Sequence, residues 1–262
     1  MIRIALISIA VAFLSACTTL PLPVSKPADA TSKDAVAVLR RSSEKAGNPW
    51  SRFHTVRVGY SGEWSRFVEK VQPVLTDPAF RKSSSELYEP KSERIAQVHI
   101  GPAGEKIVVR TRGKTTVQRN RKPDFDTDSV AAAGLVADAY TVFTFGSSVL
   151  LARGSDWRIL GEQNLAGEKC TLVAGTMKPG FGPSEQDAVI AWIGTQTHRM
   201  HRFQFTLNGL ASTAGADVDV TFSDFQPGPN ATEWPRHFIE RVRRPFDVQA
   251  HDWRMTSLEV AR

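Results

Sequence analysis

Alternating strands on both sides of one long apolar segment constrain the fold of this chain more than any other feature of its sequence. Val56, Val58 and Tyr60 alternate with other residues before that segment, and Val218 and Val220 alternate with polar residues after it. Side chains two residues apart in a strand lie on the same face of a sheet. The pattern therefore predicts a sheet with an apolar face, which must be buried against another layer.

The segment Ser129–Ala152 is apolar around most of its circumference and carries one charged residue, Asp138. Asp124, Asp126 and Asp128 precede it, where negative charge favours the start of a helix. An aspartate in the middle of a membrane span costs about 2.5–3.5 kcal/mol, and glycines and serines dilute the hydrophobicity. We therefore predict a buried helix or helix pair that covers the sheet, rather than a membrane span.

The N-terminus has the features of a bacterial lipoprotein signal. The cation Arg3 precedes a short apolar run, Ile4–Phe13, whose helix of about 15 Å is too short for a hydrocarbon core of about 30 Å. The run ends in small residues, and Leu14–Cys17 fits a lipobox, in which the cysteine thiol takes a diacylglycerol. We predict that residues 1–16 are removed and that Cys17 is lipidated.

Acylation of this cysteine sets the expected location of the protein. Two or three acyl chains, at about 0.8 kcal/mol per buried methylene, give near-permanent membrane attachment. Thr18 follows the cysteine where an aspartate would favour the inner membrane; by resemblance to enterobacterial lipoproteins, this predicts an outer-membrane anchor facing the periplasm. The prolines in residues 17–32 predict an extended tether, and residues 33–262 are predicted to form a single domain.

Cysteine usage limits how the fold is stabilised. Cys170 is the only cysteine besides Cys17, so acylation leaves no intramolecular disulfide and the core must hold the fold. Cys170 lies in a predicted strand, with no helix start to lower its pKa, and is interpreted as a core or edge thiol rather than a nucleophile. The chain carries a net charge of +6, but export to the envelope excludes nucleic acid as a partner.

A predicted basic hairpin carries Arg110, Arg112, Lys114 and Arg119. Each cation near an anionic lipid surface contributes about 1 kcal/mol. These four residues are candidate contacts to such a surface, and the alternative is an ordinary solvated strand face.

No pattern of metal-binding or catalytic residues stands out. The run Asp124–Asp128 resembles the start of a calcium loop, but Ser129 and Leu135 occupy the positions of the required glycine and glutamate. His198 and His201 would point to opposite faces of a strand. A Gly-x-Ser-x-Gly elbow, a phosphate loop and a dinucleotide-binding glycine pattern are all missing from the sequence. We therefore predict a protein without catalytic residues, metal or cofactor.

Four stretches follow one another in the second half of the chain: Ala191-Trp192-Ile193, Arg202–Phe205, Val218–Phe225 and Trp234-Pro235. Their order resembles the Lol superfamily of lipoprotein carriers and receptors. In that family a Trp-Ile strand is followed by an Arg-containing strand, a Val-x-Phe-Ser-Asp-aromatic strand and a Pro-led strand. The predicted N-terminal helix, ending at Gly47, agrees with the same family.

The resemblance implies an α+β fold in which a curved antiparallel sheet forms an unclosed β-barrel capped by helices. If the helical cover can shift, the apolar cleft beneath it can take acyl chains. Their burial contributes about 25 cal/mol per Å² without polar contacts.

Strand parity selects candidate lining residues for this cleft. Phenylalanines and valines that share one face of two adjacent strands should meet the same interior, whereas the parity of two tryptophans allows either side. The candidates are Phe203, Phe205, Val218, Val220, Phe222, Trp192 and Trp64.

These observations favour an outer-membrane-anchored periplasmic lipoprotein that binds or transfers a lipid or a lipidated protein in an apolar cleft, without catalysis. Two alternatives remain open from the sequence. One is an envelope assembly or scaffold lipoprotein without a ligand, and the other is an enzyme acting on lipid or cell-wall material.

Overall fold

A computed structural model describes Leu20 and residues 32–262 of the chain. The predicted signal, Cys17 and the rest of the predicted tether lie outside the described residues. Thirteen strands and six α-helices follow one another in this part of the chain. The helices are α1 (Ser32–Lys45), α2 (Pro49–Arg52), α3 (Arg66–Val71), α4 (Pro73–Thr76), α5 (Thr127–Phe145) and α6 (Ser147–Arg153). The strands are β1 (Thr55–Trp64), β2 (Ser83–Glu89), β3 (Arg94–Gly101), β4 (Gly104–Thr111), β5 (Lys114–Arg119), β6 (Lys122–Asp124), β7 (Gly154–Leu165), β8 (Glu168–Met177), β9 (Asp187–Gly194), β10 (Met200–Thr206), β11 (Asp217–Gly228), β12 (Thr232–Arg244) and β13 (Val248–Ala261).

All of these strands form one antiparallel sheet in the order β6-β5-β4-β3-β2-β1-β13-β12-β11-β10-β9-β8-β7. The first and last strands pair in its middle, with Val58 opposite Leu258, so that two meanders are joined into one surface. Strands β6 and β7 are the two edges, and helices α5 and α6 connect them. The sheet is therefore not closed, and the predicted α+β, unclosed barrel capped by helices is confirmed.

The predicted helical insert is a pair of helices broken at one glycine. The side chain of Asp126 accepts a hydrogen bond from the backbone N–H of Ser129 at 2.8 Å and caps the start of α5. Gly146 separates α5 from α6 with a φ of +54°, which favours glycine. The expected helix start at the aspartates is thus confirmed. None of the described helices is long and apolar enough to cross a membrane.

Helix α5 is buried around most of its surface because it lies inside the curve of the sheet. The main hydrophobic core unites α1, α5 and α6 with residues of strands β1, β10, β11, β12 and β13. A smaller cluster forms separately from this core, on strands β7, β8 and β9, and includes Leu20, Cys170 and Trp192. Cys170 is a buried free thiol, and burial raises its pKa to about 11. A neutral, buried thiol fits the interpretation of Cys170 as a packing residue.

Candidate functional site

A cavity of about 630 Å³ lies between helix α5, the short helices α3 and α4, and strands β10 to β13. Its inner wall comes from α5, through Leu135, Val136 and Ala139, and from the sheet, through Phe205 and Val218. These five side chains are almost completely buried. The space therefore lies under the helical cover, and its walls on these sides are hydrocarbon.

The mouth of the cavity is framed by exposed apolar side chains. Phe67 and Val71 on α3 are 47% and 49% exposed, and Phe246 in the β12–β13 turn is 60% exposed. All three line the opening. Single exposed apolar residues are ordinary on a protein surface, but three around one opening form a continuous apolar path from solvent to the interior.

Two contacts bridge this mouth. The rings of Phe67 and Phe246 meet edge to face, with their centroids 6.0 Å apart. The side-chain amide of Gln72 donates a hydrogen bond to the carbonyl oxygen of Ser212 at 2.8 Å. Both contacts are exposed, and contacts of this kind contribute only about 0.5–1.5 kcal/mol each. These two contacts therefore contribute little to the free energy that keeps the mouth closed.

One part of the inner wall is polar. Oε2 of Glu240 lies 2.9 Å from Nδ1 of His251, and the hydroxyl of Tyr140 lies 2.9 Å from the same nitrogen. Nη2 of Arg81 donates to the Tyr140 hydroxyl at 2.9 Å. The ring of Trp64 stacks parallel on His251 with centroids 3.8 Å apart. Of these residues, Trp64, Tyr140 and Glu240 line the cavity.

Burial dominates the electrostatics of this polar wall. Burial raises the pKa of Tyr140 well above its usual value, and the charge of Glu240 adds to that effect. Burial also lowers the pKa of His251, although the hydrogen bond to Glu240 opposes the shift. At neutral pH the tyrosine is therefore protonated and the histidine is neutral, so neither is a ready source of charge.

Six of the seven predicted lining residues fall into two groups. Phe205, Val218 and Trp64 line the cavity. The register pairs Phe203 with Val220 and Phe205 with Val218, which places these residues on one face as strand parity predicts. Phe203, Val220 and Phe222, however, are packed in the main core beneath the helical cover rather than on the cavity wall.

Trp192 lies on the opposite face of the sheet, and the expectation that it lines the cleft is corrected. Its ring packs with Leu172 and Ile190 in the smaller cluster, and its Nε1 donates to Oε1 of Gln204 at 2.7 Å. Its neighbours Ala191 and Ile193 face the main core. Strand β9 is buried on both faces, so parity alone could not assign a side to Trp192.

The prediction of a contact with a lipid surface is also corrected for two of the four cations. Arg110 is buried and donates to Asp138 of helix α5 at 2.9 and 2.6 Å. Arg119 donates to Asp77 at 3.0 and 2.9 Å and to Asp124 at 2.8 Å. Both side chains are paired with carboxylates of the fold, which leaves neither as a free cation for a lipid surface. Arg112 and Lys114 are exposed at the turn between these strands.

Sequence reasoning missed the polar wall and the mouth. Glu240 lies on β12, where the alternation of buried and less buried residues places it on the core face. A charged residue at a core-facing position was the feature of the sequence that could have indicated the polar wall. Phe67 and Phe246 carried no such signal, because their proximity depends on the tertiary fold. Among the described residues, no group of three His, Cys, Asp or Glu side chains could hold a metal ion. His201 instead contacts Glu168, at 2.8 Å.

No protein-family model matches this chain, and no curated protein matches it in sequence. Its fold is similar to that of a DUF1329 family protein from Desulfovibrio piger, with a TM-score of 0.52, 12% identity, and 87% of this chain and 92% of that chain covered. A LolA superfamily protein from Nitrosomonas europaea aligns with a TM-score of 0.49 and 11% identity over 87% of this chain and 93% of that chain. An outer membrane lipoprotein-sorting protein domain from Vibrio parahaemolyticus aligns with a TM-score of 0.47 and 8% identity over 88% and 93%.

At these identities the likeness concerns the fold alone. The observed architecture, an unclosed antiparallel sheet with helices inside its curve, is the one that the Lol superfamily resemblance implies. The resemblance is therefore confirmed at the level of the fold.

Proposed function

We propose that this chain is an envelope lipoprotein that binds or passes on a lipid or a lipidated protein in the cavity beneath α5, without catalysis. The proposal includes an anchor through acylated Cys17 in the outer membrane, with the domain in the periplasm. The observation that carries it is the cavity itself, with about 630 Å³ between walls that are mostly apolar. This volume lies within the range of about 300–1,000 Å³ found for ligand pockets.

The walls favour an acyl chain over a polar metabolite. Leu135, Val136, Phe205 and Val218 offer hydrocarbon surface on two sides of the space. Burial of each methylene in such a space contributes about 0.8 kcal/mol. A chain of ordinary lipid length therefore gains useful affinity from its methylenes alone.

The mouth supports exchange of such a ligand. The Phe67–Phe246 ring contact and the hydrogen bond from Gln72 to Ser212 join its two sides, and both are exposed. An apolar rim also lowers the cost of moving a hydrocarbon chain past the opening, because the chain leaves one apolar surface for another.

The decisive measurement uses residues 18–262, which include all described residues and lack the signal and Cys17. This protein, purified without detergent, is analysed by native mass spectrometry and titrated with Nile red, a neutral apolar dye. We expect co-purified acyl lipid or saturable dye binding that palmitate or a monoacylglycerol displaces. A protein that carries no lipid and binds neither dye nor acyl compound at any soluble concentration contradicts the proposal.

The anchor is tested separately in the full chain. Cys17→Ser removes the thiol that accepts the diacylglycerol, so the precursor should take up no labelled palmitate and should escape cleavage by the lipoprotein peptidase. Fractionation of the wild type should place the protein with the outer membrane. A Cys17→Ser protein that is processed normally and stays membrane-bound contradicts the anchor.

A further inference from the structure

One acidic side chain, that of Glu240, lies on the inner wall of this largely apolar cavity. Glu240 lies on β12 directly opposite His251 on β13, and its side chain is almost completely buried. Arg244, at the mouth, lies four residues further along the same strand, about 13 Å away at the usual rise of a strand. The carboxylate therefore contacts the part of a ligand that penetrates deeply.

The carboxylate of Glu240 is only partly satisfied by the protein. An ionised carboxylate only accepts hydrogen bonds, so Nδ1 of His251 carries the hydrogen that Oε2 accepts. No other side chain among the described residues hydrogen-bonds this carboxylate. The buried cation Arg81 donates instead to the Tyr140 hydroxyl and to the carbonyl oxygen of Leu75. Oε1 of Glu240, a residue that lines the cavity, thus retains acceptor capacity.

A bound hydrocarbon chain would raise the free-energy cost of this partly satisfied carboxylate. When it displaces water from the wall, a carboxylate with a single donor remains in an apolar space, and such a charge is costly unless it is further hydrogen-bonded. A second anion in the same space would add repulsion that little water screens. A hydrogen-bond donor on the ligand, in contrast, would satisfy the free lone pairs of the carboxylate.

We propose that Glu240 makes the cavity selective for uncharged acyl compounds that carry a hydrogen-bond donor, an amide N–H or a hydroxyl, and excludes acyl compounds with a carboxylate or phosphate at that position. This inference rests on the proposed function, because it specifies the ligand of the same cavity. The shared chemistry is a neutral donor next to a hydrocarbon chain, and it occurs both in N-acyl amides and in acylglycerols.

The test measures displacement of Nile red from residues 18–262 by palmitate, palmitamide and monopalmitoylglycerol. In the wild type, at least one of the two neutral compounds should bind at least about tenfold more tightly than palmitate, the factor expected from one hydrogen bond to a charged group. Which of the two binds better separates the amide from the hydroxyl as the donor. The decisive comparison is Glu240→Gln, which keeps the shape of the side chain and removes its charge. This variant should reduce the preference over palmitate to about threefold or less, mainly because palmitate binds more tightly.

Glu69→Gln is the matched control, since it removes the same charge from α3 near the mouth without altering a lining residue. It should keep the wild-type preference. Two results overturn the inference. The first is an equal preference for the neutral compounds over palmitate in the wild type and in Glu240→Gln. The second is a wild type that binds palmitate as tightly as both neutral compounds. The second result requires no variant, so it stands even if Glu240→Gln does not fold. Failure of the proposed function has a different signature, in which the wild type binds none of the three compounds.

Discussion

Arg110 holds Asp138 with two parallel hydrogen bonds, from Nε to Oδ1 at 2.9 Å and from Nη2 to Oδ2 at 2.6 Å. The pair fastens strand β4 to the middle of helix α5. Both side chains are buried, and the backbone N–H of Gly182 also donates to Oδ2 at 2.9 Å. The single charge of the apolar segment is therefore the point at which the helical cover is attached to one arm of the sheet.

Removal of one partner should be costly. We expect Asp138→Ala to lower the free energy of unfolding by about 3–5 kcal/mol, because it leaves the Arg110 guanidinium buried without its counter-charge. The double variant Arg110→Met with Asp138→Leu should regain most of that loss, since no buried charge remains. Urea denaturation of the three proteins measures the effect.

An exposed ion pair supplies the control for this experiment. Lys169 and Glu162 lie close together on the surface, and Glu162→Gln should change the free energy of unfolding by less than about 1 kcal/mol. If Asp138→Ala costs no more than Glu162→Gln, the attachment of α5 does not depend on the Arg110–Asp138 pair.

The stability of the fold should also depend on pH through Lys106, which lies on the same strand β4 as Arg110. Burial lowers the pKa of this amine to about 8 from 10.5, although Asp77, 2.5 Å away, opposes the shift. Between these two pH values the unfolded chain binds more protons at this lysine than the folded chain, so the free energy of unfolding rises with pH. Relative to Lys106→Met, the wild type should gain up to about 3 kcal/mol over that interval.

Chemical denaturation at a series of pH values measures this difference. Lys33→Met, which replaces an exposed lysine on α1, is the matched control and should leave the wild-type profile unchanged. If the free energy of unfolding rises equally with pH in the wild type and in Lys106→Met between pH 8 and 10.5, the buried amine does not cause the rise.

Sequence patterns predicted the strands in which apolar and polar residues alternate. They did not predict a strand in which this alternation is absent. Strands β10 and β11 were predicted with the correct shared face, because Phe203 and Phe205 alternate with polar residues. Strand β2 was not predicted. Its interior face carries Ser84 and Glu86, whose side chains hydrogen-bond each other at 2.8 Å, so no apolar period of two marks it. A polar interior conceals a strand from any argument based on hydrophobic periodicity.

The cavity was predicted as a property of the fold but not in its detail. Strand parity and an apolar cover implied an apolar interior, and Phe205 and Val218 were named as its lining. The contribution of Gln72, Phe67 and Phe246 depends on how two distant segments approach each other, which no local pattern encodes. The polar wall at Glu240 depends in the same way on the register between β12 and β13.

A substitution that fills the cavity should separate ligand binding from stability. Ala139 lies on α5 and lines the space, so Ala139→Phe places a ring where the acyl chain would lie. We expect at least about tenfold weaker Nile red binding, because two or more methylenes of contact are lost. The ring enters existing space, so overpacking should cost less than about 3 kcal/mol of stability.

Val130→Phe is a suitable control, because Val130 lies on the same helix but lines a different, more open cleft beside β5. It adds a ring of similar size outside the proposed site and should leave dye binding unchanged. Equal loss of binding in both variants would mean that the dye occupies the cleft beside β5 or responds to a general loosening of α5.

The rate of ligand uptake should depend on the hydrogen bond across the mouth. Gln72 donates to the Ser212 carbonyl oxygen at 2.8 Å, and Gln72→Ala removes this bond while the ring contact between Phe67 and Phe246 stays. Loss of about 0.5–1.5 kcal/mol from the closed state should accelerate Nile red uptake by roughly two- to tenfold, measured by stopped-flow fluorescence. Lys70→Ala, an exposed truncation on the neighbouring helix α3, should leave the rate unchanged. An unchanged rate in Gln72→Ala would mean that opening between α3 and the 207–216 loop does not limit uptake, and that the ligand reaches the cavity by another route.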